Sequence, residues 1–259
     1  GEVGKTVALR MLAAGYNLSL WSENQIRQQE LVSLLGQHNK NSLRIETVQV
    51  DLSQGQDFSN LESIWSSFGG FDSVVLCAGY IKQSMSLLTP FEELEDYFMI
   101  NSLSPGIFLK TFLELVKKHK KPSNVVYVSS TSKTAAIPTV YGVAKNSFSS
   151  LIQILRRGYI DEPVRFCEIV PSLLFSNYFS NLNETLKKKI FSISGIDLKQ
   201  TPFETLDAKS LSHLSACMAD YTVTLDQVAD SVLMFTESEM LPAQTCLVLQ
   251  SKRNLFEPN

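Results

Sequence analysis

Cysteine is scarce and scattered: Cys77, Cys167, Cys217 and Cys246 are the only four in 259 residues, and no two form a C-x-x-C pair. That pattern argues against a disulfide framework or a thiolate metal site. With no signal peptide recognisable, reduced thiols point to a cytoplasmic setting. Histidine is scarcer still. His38, His119 and His213 each stand alone among polar residues and read as solvated side chains. No apolar run approaches the roughly 20 residues that span a bilayer, so a helical membrane span is not expected. No G-x-S-x-G elbow occurs, so an α/β-hydrolase would lack its nucleophile. The formal net charge is −3, which offers nucleic acid no global basic field. The run Lys187-Lys188-Lys189 and the looser Lys117, Lys118, Lys120 and Lys121 read as solvated helix faces. Internal repeats, low-complexity tracts and Pro/Gly/Ser linkers are also lacking.

The beginning of the chain lacks a strand where one is expected. Gly1-Glu2-Val3-Gly4-Lys5-Thr6 reads as the end of a phosphate loop, and such a loop needs a preceding strand to aim it. The expectation is that residues before Gly1, first strand included, are missing from this sequence. Two functional readings stay open here. Gly1 and Gly4 suit a dinucleotide loop, in which small residues let a pyrophosphate approach a helix N-terminus. Gly4-Lys5-Thr6 also suits a nucleoside-triphosphate loop, for which Asp51 is the one acidic residue placed to hold a metal.

What is present is an alternation of strand and helix patterns, with 44% hydrophobic residues to build a core. Helices are expected over 3–14, 24–35 (stopped by Gly36), 58–68, 91–118 (begun by Pro90), 141–157 and 225–236, the last capped by Thr224. Strands are expected over 17–21, 43–50, 73–76, 125–128, 164–170 and 245–249. Residues 176–223 are polar and aromatic by turns, with helical pieces near 182–193 and 207–218. Strands separated by helices predict a doubly wound parallel α/β sheet, Rossmann-like, in a single domain covering residues 1–259. Ligands of such sheets bind at the carboxyl ends of the strands. Asp51, Cys77-Ala78-Gly79, Ser130 and Pro171-Ser172 all fall at predicted strand ends and would converge there.

The stretch from Val125 to Lys145 carries the chemistry. A buried strand ends at Ser129 and Ser130, Pro138 marks a loop, and Tyr141 and Lys145 follow four residues apart. On a helix that spacing puts phenol and ammonium one turn apart on one face. A neighbouring cation favours the phenolate and lowers the tyrosine pKa, and a tyrosine so tuned exchanges protons near neutral pH.

In this order and context the stretch resembles the short-chain dehydrogenase/reductase family, whose members carry an active-site Ser, Tyr and Lys. The resemblance runs from Gly1 to about Leu249. It implies an oxidoreductase transferring hydride between a nicotinamide cofactor and a carbonyl or alcohol substrate, with Ser130, Tyr141, Lys145 and Asn101 as catalytic residues. Ser130 lies 11 residues before Tyr141, about two fewer than the family usually shows, so the loop is shortened; Ser129 and Ser132 are alternatives to Ser130. Asn101 matches the family's Asn that bends its helix and holds a water beside the lysine. Cys77-Ala78-Gly79 stands where the family has Asn-Ala-Gly, with Cys77 read as a packed thiol. Asp51 matches the acidic residue near the adenine ring, or is a plain turn residue. Pro171-Ser172 matches the family's Pro-Gly, and Ser176 stands where a Thr commonly meets the nicotinamide. The family's habit of forming dimers and tetramers through helices here placed at 91–118 and 142–157 implies a homo-oligomer. A cofactor-binding scaffold or sensor without turnover is the second reading.

Two finer expectations concern ligands. Ser22 and Glu23 occupy the end of the second strand of the motif, which meets the adenosine ribose. Carboxylates at Glu2 and Glu23 would repel a 2′-phosphate, so NAD is expected over NADP; Arg27 is the nearby cation that would reverse the choice. Phe175, Tyr178, Phe179, Phe191 and Phe203 either line a substrate site covered by 176–223 or pack that segment onto the body.

Overall fold

The computed structural model describes residues 1–55, 58–81, 91–134, 139–182 and 184–252. Pro90 and Pro138, expected to begin a helix and mark a loop, lie outside the described residues.

The chain opens directly with helix α1 (Glu2–Ala13), whose apolar residues Val7, Ala8, Met11 and Leu12 are buried. Gly15 ends it at φ +94°, a conformation that glycine adopts without Cβ strain. Strand β1 (Leu18–Ser22) pairs in parallel with β2 (Ile45–Gln49). Between them α2 runs Gln25–His38, straight through Gly36. The expected stop comes three residues late, at Asn39, whose side chain both donates to Leu43 O and accepts from Leu43 N and so holds the exit turn. An interior glycine costs a helix only about 1 kcal/mol, less than packing and a good cap return.

Helix α3 (Leu61–Phe68) ends at Gly69 and Gly70, both with positive φ. Strand β3 (Ser73–Leu76) follows. Helix α4 (Phe91–Phe98) passes through a π-helical turn at Met99–Leu103 into α5 (Ser104–His119). Strand β4 (Ser123–Val128), helix α6 (Val140–Gly158) and strand β5 (Val164–Pro171) come next. Helices α7 (Glu184–Ser194) and α8 (Ala208–Met218) lie in the expected covering segment. Helix α9 (Leu225–Glu237) opens with a reciprocal capping box between Thr224 and Gln227. Strand β6 (Gln244–Leu249) is the last.

Strands β3-β4-β5-β6 form one parallel sheet and β1-β2 a second; among the described residues no strand joins β1 to β3. The architecture is the predicted Rossmann-like one, helices on both faces of parallel strands. Alternation along β4 explains the two faces. Val126 and Val128 point into a core with Val7, Met11, Val228 and Phe235 from α1 and α9. Val125 and Tyr127 point into another with Leu109, Phe112 and Phe148 from α5 and α6. The covering segment has its own core of Phe179, Leu186, Ile190, Phe203, Leu214 and Met218. Its base is closed where Val223 donates to Leu173 O and accepts from Phe175 N. No helix among the described residues is long and apolar enough to cross a membrane.

Candidate active site

Because the strands are parallel, their carboxyl ends share one edge. Ser22 ends β1, Cys77 follows β3, Ser129 follows β4, and Pro171 ends β5. Helix α6 starts above that edge. Its N-cap Thr139 accepts from Gly142 N at 3.0 Å, and Tyr141 and Lys145 sit on consecutive turns. Lys145 is only 2% exposed. Its Nζ donates to Ala78 O and Val128 O, each at 3.3 Å, spanning the ends of β3 and β4. It stands 5.0 Å from the Tyr127 ring centre and 5.8 Å from that of Tyr141.

Burial sets the protonation. It pulls the Lys145 pKa down to about 8, against the opposing pull of Cys77 and Glu168. Burial likewise pushes the Tyr141 phenol up from its ordinary value, aided by Tyr178 and opposed by hydrogen bonding with Ser130. The expected lowering of the tyrosine pKa by Lys145 is not found in this structure: desolvation of the phenolate is the largest influence and raises it. Ser130 is the serine that acts on the phenol. Ser129 is buried with its hydroxyl 3.5 Å from that of Ser149, and Ser132 N donates to Ser130 Oγ at 3.1 Å.

Asn101 sits in the π turn and is 1% exposed. Its Oδ1 accepts from Tyr80 N at 3.0 Å, and its Nδ2 donates to Tyr80 O and Tyr97 O at 2.9 Å. A Cβ on Gly79 would lie 3.3 Å from Lys145 Nζ and 3.4 Å from Asn101 Oδ1, so the two groups face each other across that glycine. The π turn is a one-residue insertion of the kind that gathers at functional sites.

The remaining expected residues divide. Cys77 is a packed thiol, its pKa pushed up to about 12 by burial. A Cβ on Gly4 would lie 3.8 Å from its Cβ, while one on Gly1 would meet nothing within 4 Å. Asp51 Oδ1 accepts from both the amide and hydroxyl of Ser53, a turn-capping role. Ser172 N donates to Leu249 O, and its hydroxyl accepts from Ser251 N. Ser176 caps the short turn at Asn177–Asn181 through Tyr178 N. Glu23 and Arg27 are exposed at the start of α2. Of the five aromatics, Phe175, Phe179 and Phe203 pack on one another. Phe191 is exposed, and Tyr178 alone bears on Tyr141. The three histidines are exposed, although His119 stacks on Trp65.

A match to the short chain dehydrogenase family model covers residues 2–187. The chain belongs to the short-chain dehydrogenase family. Solved structures of similar fold span nearly all of it. A 4-hydroxyisoleucine dehydrogenase complexed with NADH is 16% identical, with a TM-score of 0.70 over 96% of this chain and 93% of that one. Acetoin dehydrogenase from Enterobacter cloacae is 15% identical, with a TM-score of 0.71 over 99% and 95%. An alcohol dehydrogenase from the archaeon Thermococcus sibiricus, complexed with 5-hydroxy-NADP, is 20% identical, with a TM-score of 0.68 over 99% and 94%. No curated protein sequence matches. At these identities the likeness is one of fold.

Several residues of this short-chain dehydrogenase were not singled out in the sequence. Glu168, Lys133 and Ser149 form a partly buried polar cluster under the site. The signal was a lone carboxylate in the apolar strand V-R-F-C-E-I-V, since buried Glu is rare unless paired. Glu2, read in the sequence only for its charge, accepts from Asn177 N at 2.6 Å and so ties α1 to the covering segment; nothing in local sequence announces a contact 175 residues apart.

Proposed function

We infer that the protein transfers hydride between a nicotinamide dinucleotide and a small carbonyl or alcohol substrate. The observation that carries this reading is the buried Lys145 ammonium bridging the ends of β3 and β4, one helical turn from a phenol that also answers to Ser130. The residues fit such a cofactor. The first-turn amides of α1 are free of helical partners, space at Gly1 is open, and family membership favours the dinucleotide reading of Gly1 and Gly4. Asp51, Ala78, Gly79, Pro171, Ser172 and Ser176 would border it along the strand ends. When bound, the cofactor supplies or accepts the hydride.

The chain's own groups do the rest. Tyr141 gives its proton to the developing alkoxide during reduction and takes one back during oxidation. A neutral, half-buried phenol is well stocked for the reductive step. Ser130 orients the substrate oxygen by hydrogen bonding. Lys145 supplies positive charge beside the phenolate as it forms, which stabilises charge only where it develops. Asn101 positions the β3 exit on which Lys145 rests. Tyr141→Phe should abolish reduction of carbonyl probes while NADH and NADPH titrations stay unchanged; full turnover in that variant would overturn the mechanism.

The raised Tyr141 pKa favours a second reading, a dinucleotide-binding sensor without turnover. Tight cofactor binding with no activity on a broad carbonyl and alcohol panel is its signature. We also propose NAD over NADP from Glu2 and Glu23, and a homodimer or homotetramer supported by exposed Leu103, Ile107, Val143 and Ile154 on and beside α5 and α6. A cytoplasmic setting is supported by free thiols at all four cysteines.

A further inference from the structure

A carboxylate and an ammonium meet beneath the site without touching it. Glu168 lies in the middle of β5, in register with Tyr127 on β4. Lys133 lies in the short 3-10 turn Thr131–Thr134 that follows the active-site serine. Their Nζ–Oε1 distance is 2.5 Å, and the two side chains are 14% and 15% exposed. The same Oε1 is 2.6 Å from Ser149 Oγ, one helical turn beyond Lys145 on α6. Ser149 Oγ is also 3.1 Å from Lys145 O, 3.4 Å from Lys133 Nζ and 3.5 Å from Ser129 Oγ. At its other end, Lys133 N donates to Ser130 O at 3.2 Å. One carboxylate on β5 thus ties together the two elements, the serine turn and α6, that carry Ser130, Tyr141 and Lys145. Burial alone would raise its pKa, but Lys133 and Ser149 reverse the effect and hold the group ionised.

Stability does not account for the pair. Desolvating two charges offsets most of their attraction, and apolar replacement of such pairs is often neutral or stabilising. What a fixed ion pair does supply is geometry. We propose that Lys133 and Glu168, acting through Ser149, are positioning residues that set the serine turn against helix α6 and so fix Ser130 relative to Tyr141 and Lys145. The proposal rests on the catalytic reading given above. It assigns to this chain's shortened serine turn an anchor from below, made by an acid in the strand and a base in the turn.

The test replaces both charges together, as Lys133→Met/Glu168→Leu, with Lys133→Arg as the conservative control. Reduction of 2,3-butanedione, NADH affinity, thermal midpoint and amide hydrogen exchange are measured on the full chain. The double variant should keep its midpoint and bind NADH within about twofold of the parent. Its kcat should fall roughly ten- to hundredfold, the cost of a small misplacement of reacting groups. The Ser132 and Lys133 amides, which donate to Ser130, should exchange about tenfold faster. Lys133→Arg should recover most of both. Unchanged kcat and exchange would overturn the proposal, as would a kcat loss matched by lower stability and weaker NADH binding. A parent protein inactive on 2,3-butanedione and on a broad carbonyl and alcohol panel counts against the catalytic reading; in that case the exchange rates alone decide whether the anchor exists.

Discussion

Asn101 satisfies both backbone groups of Tyr80, accepting its N–H at 3.0 Å and donating to its C=O at 2.9 Å. An amide side chain that completes a backbone in this way stands in for a missing strand neighbour just after β3. Asn101→Ala leaves buried donors and acceptors unpaired, each at about 1–3 kcal/mol. The expected result is a loss of about 2–4 kcal/mol in urea unfolding, together with reduced turnover because Gly79 and Lys145 lose their support. Asn101→Asp keeps the acceptor but sets a buried carboxylate oxygen against the carbonyls of Tyr80 and Tyr97, so it should cost at least as much as Asn101→Ala.

Gly142 and Gly106 make a matched pair of tests. A Cβ on Gly142 would run into the carbonyl oxygen of Ser132, which is backbone and cannot step aside. A Cβ on Gly106 would meet Leu151 Cδ2 at 2.5 Å, the movable end of a side chain. Gly142→Ala should therefore cost about 1–3 kcal/mol and turnover as well, since it pushes the serine turn away from α6. Gly106→Ala should cost clearly less and leave turnover intact. Thermal melts and initial rates of both variants check this.

Lys145 gives stability a definite pH dependence. Its pKa is about 8 in the folded chain, against an ordinary lysine value of 10.5. Between those values the unfolded chain binds more protons, so this group makes stability rise with pH over that window. Below pH 8 its burial as a cation is a full penalty of a few kcal/mol, at about 1.4 kcal/mol per pKa unit. Lys145→Met should exceed the parent in stability most at pH 7, and the gap should narrow towards pH 10. Chemical denaturation at three pH values would show the trend or its absence.

Cofactor choice is tested by charge at the start of α2. Glu23 and Arg27 are both exposed there, and NADH is expected to bind more tightly than NADPH. Replacing Glu23 with Gln should narrow the difference. Tighter NADPH binding that is lost in Arg27→Ala would reverse the assignment.

Much of this was legible because it is local. The unbroken apolar run from Val125 to Val128 predicted a strand buried on both faces, and its side chains enter the two cores on either side of the sheet. Thr224 predicted its cap. The Tyr141–Lys145 spacing predicted consecutive turns of α6. What was hidden depends on distant partners. The α2 exit is fixed by Asn39 and Leu43 rather than by Gly36. The direction of the Tyr141 shift depends on how deeply the fold buries the phenol, which spacing alone does not reveal. Lys133 and Glu168, 35 residues apart, meet only once β5 lies beside β4.

The π turn at Met99–Leu103 makes chain length itself part of the site. One residue added to a helix rotates everything before it by about 100° relative to everything after. Deleting a single residue from this turn would join α4 to α5 in one regular helix with Pro105 in its interior, a position that a proline resists. The same deletion would swing Asn101 out of reach of Tyr80 while leaving every side chain of the active site chemically intact. The protein should therefore tolerate many substitutions between Phe91 and His119 better than one missing amino acid.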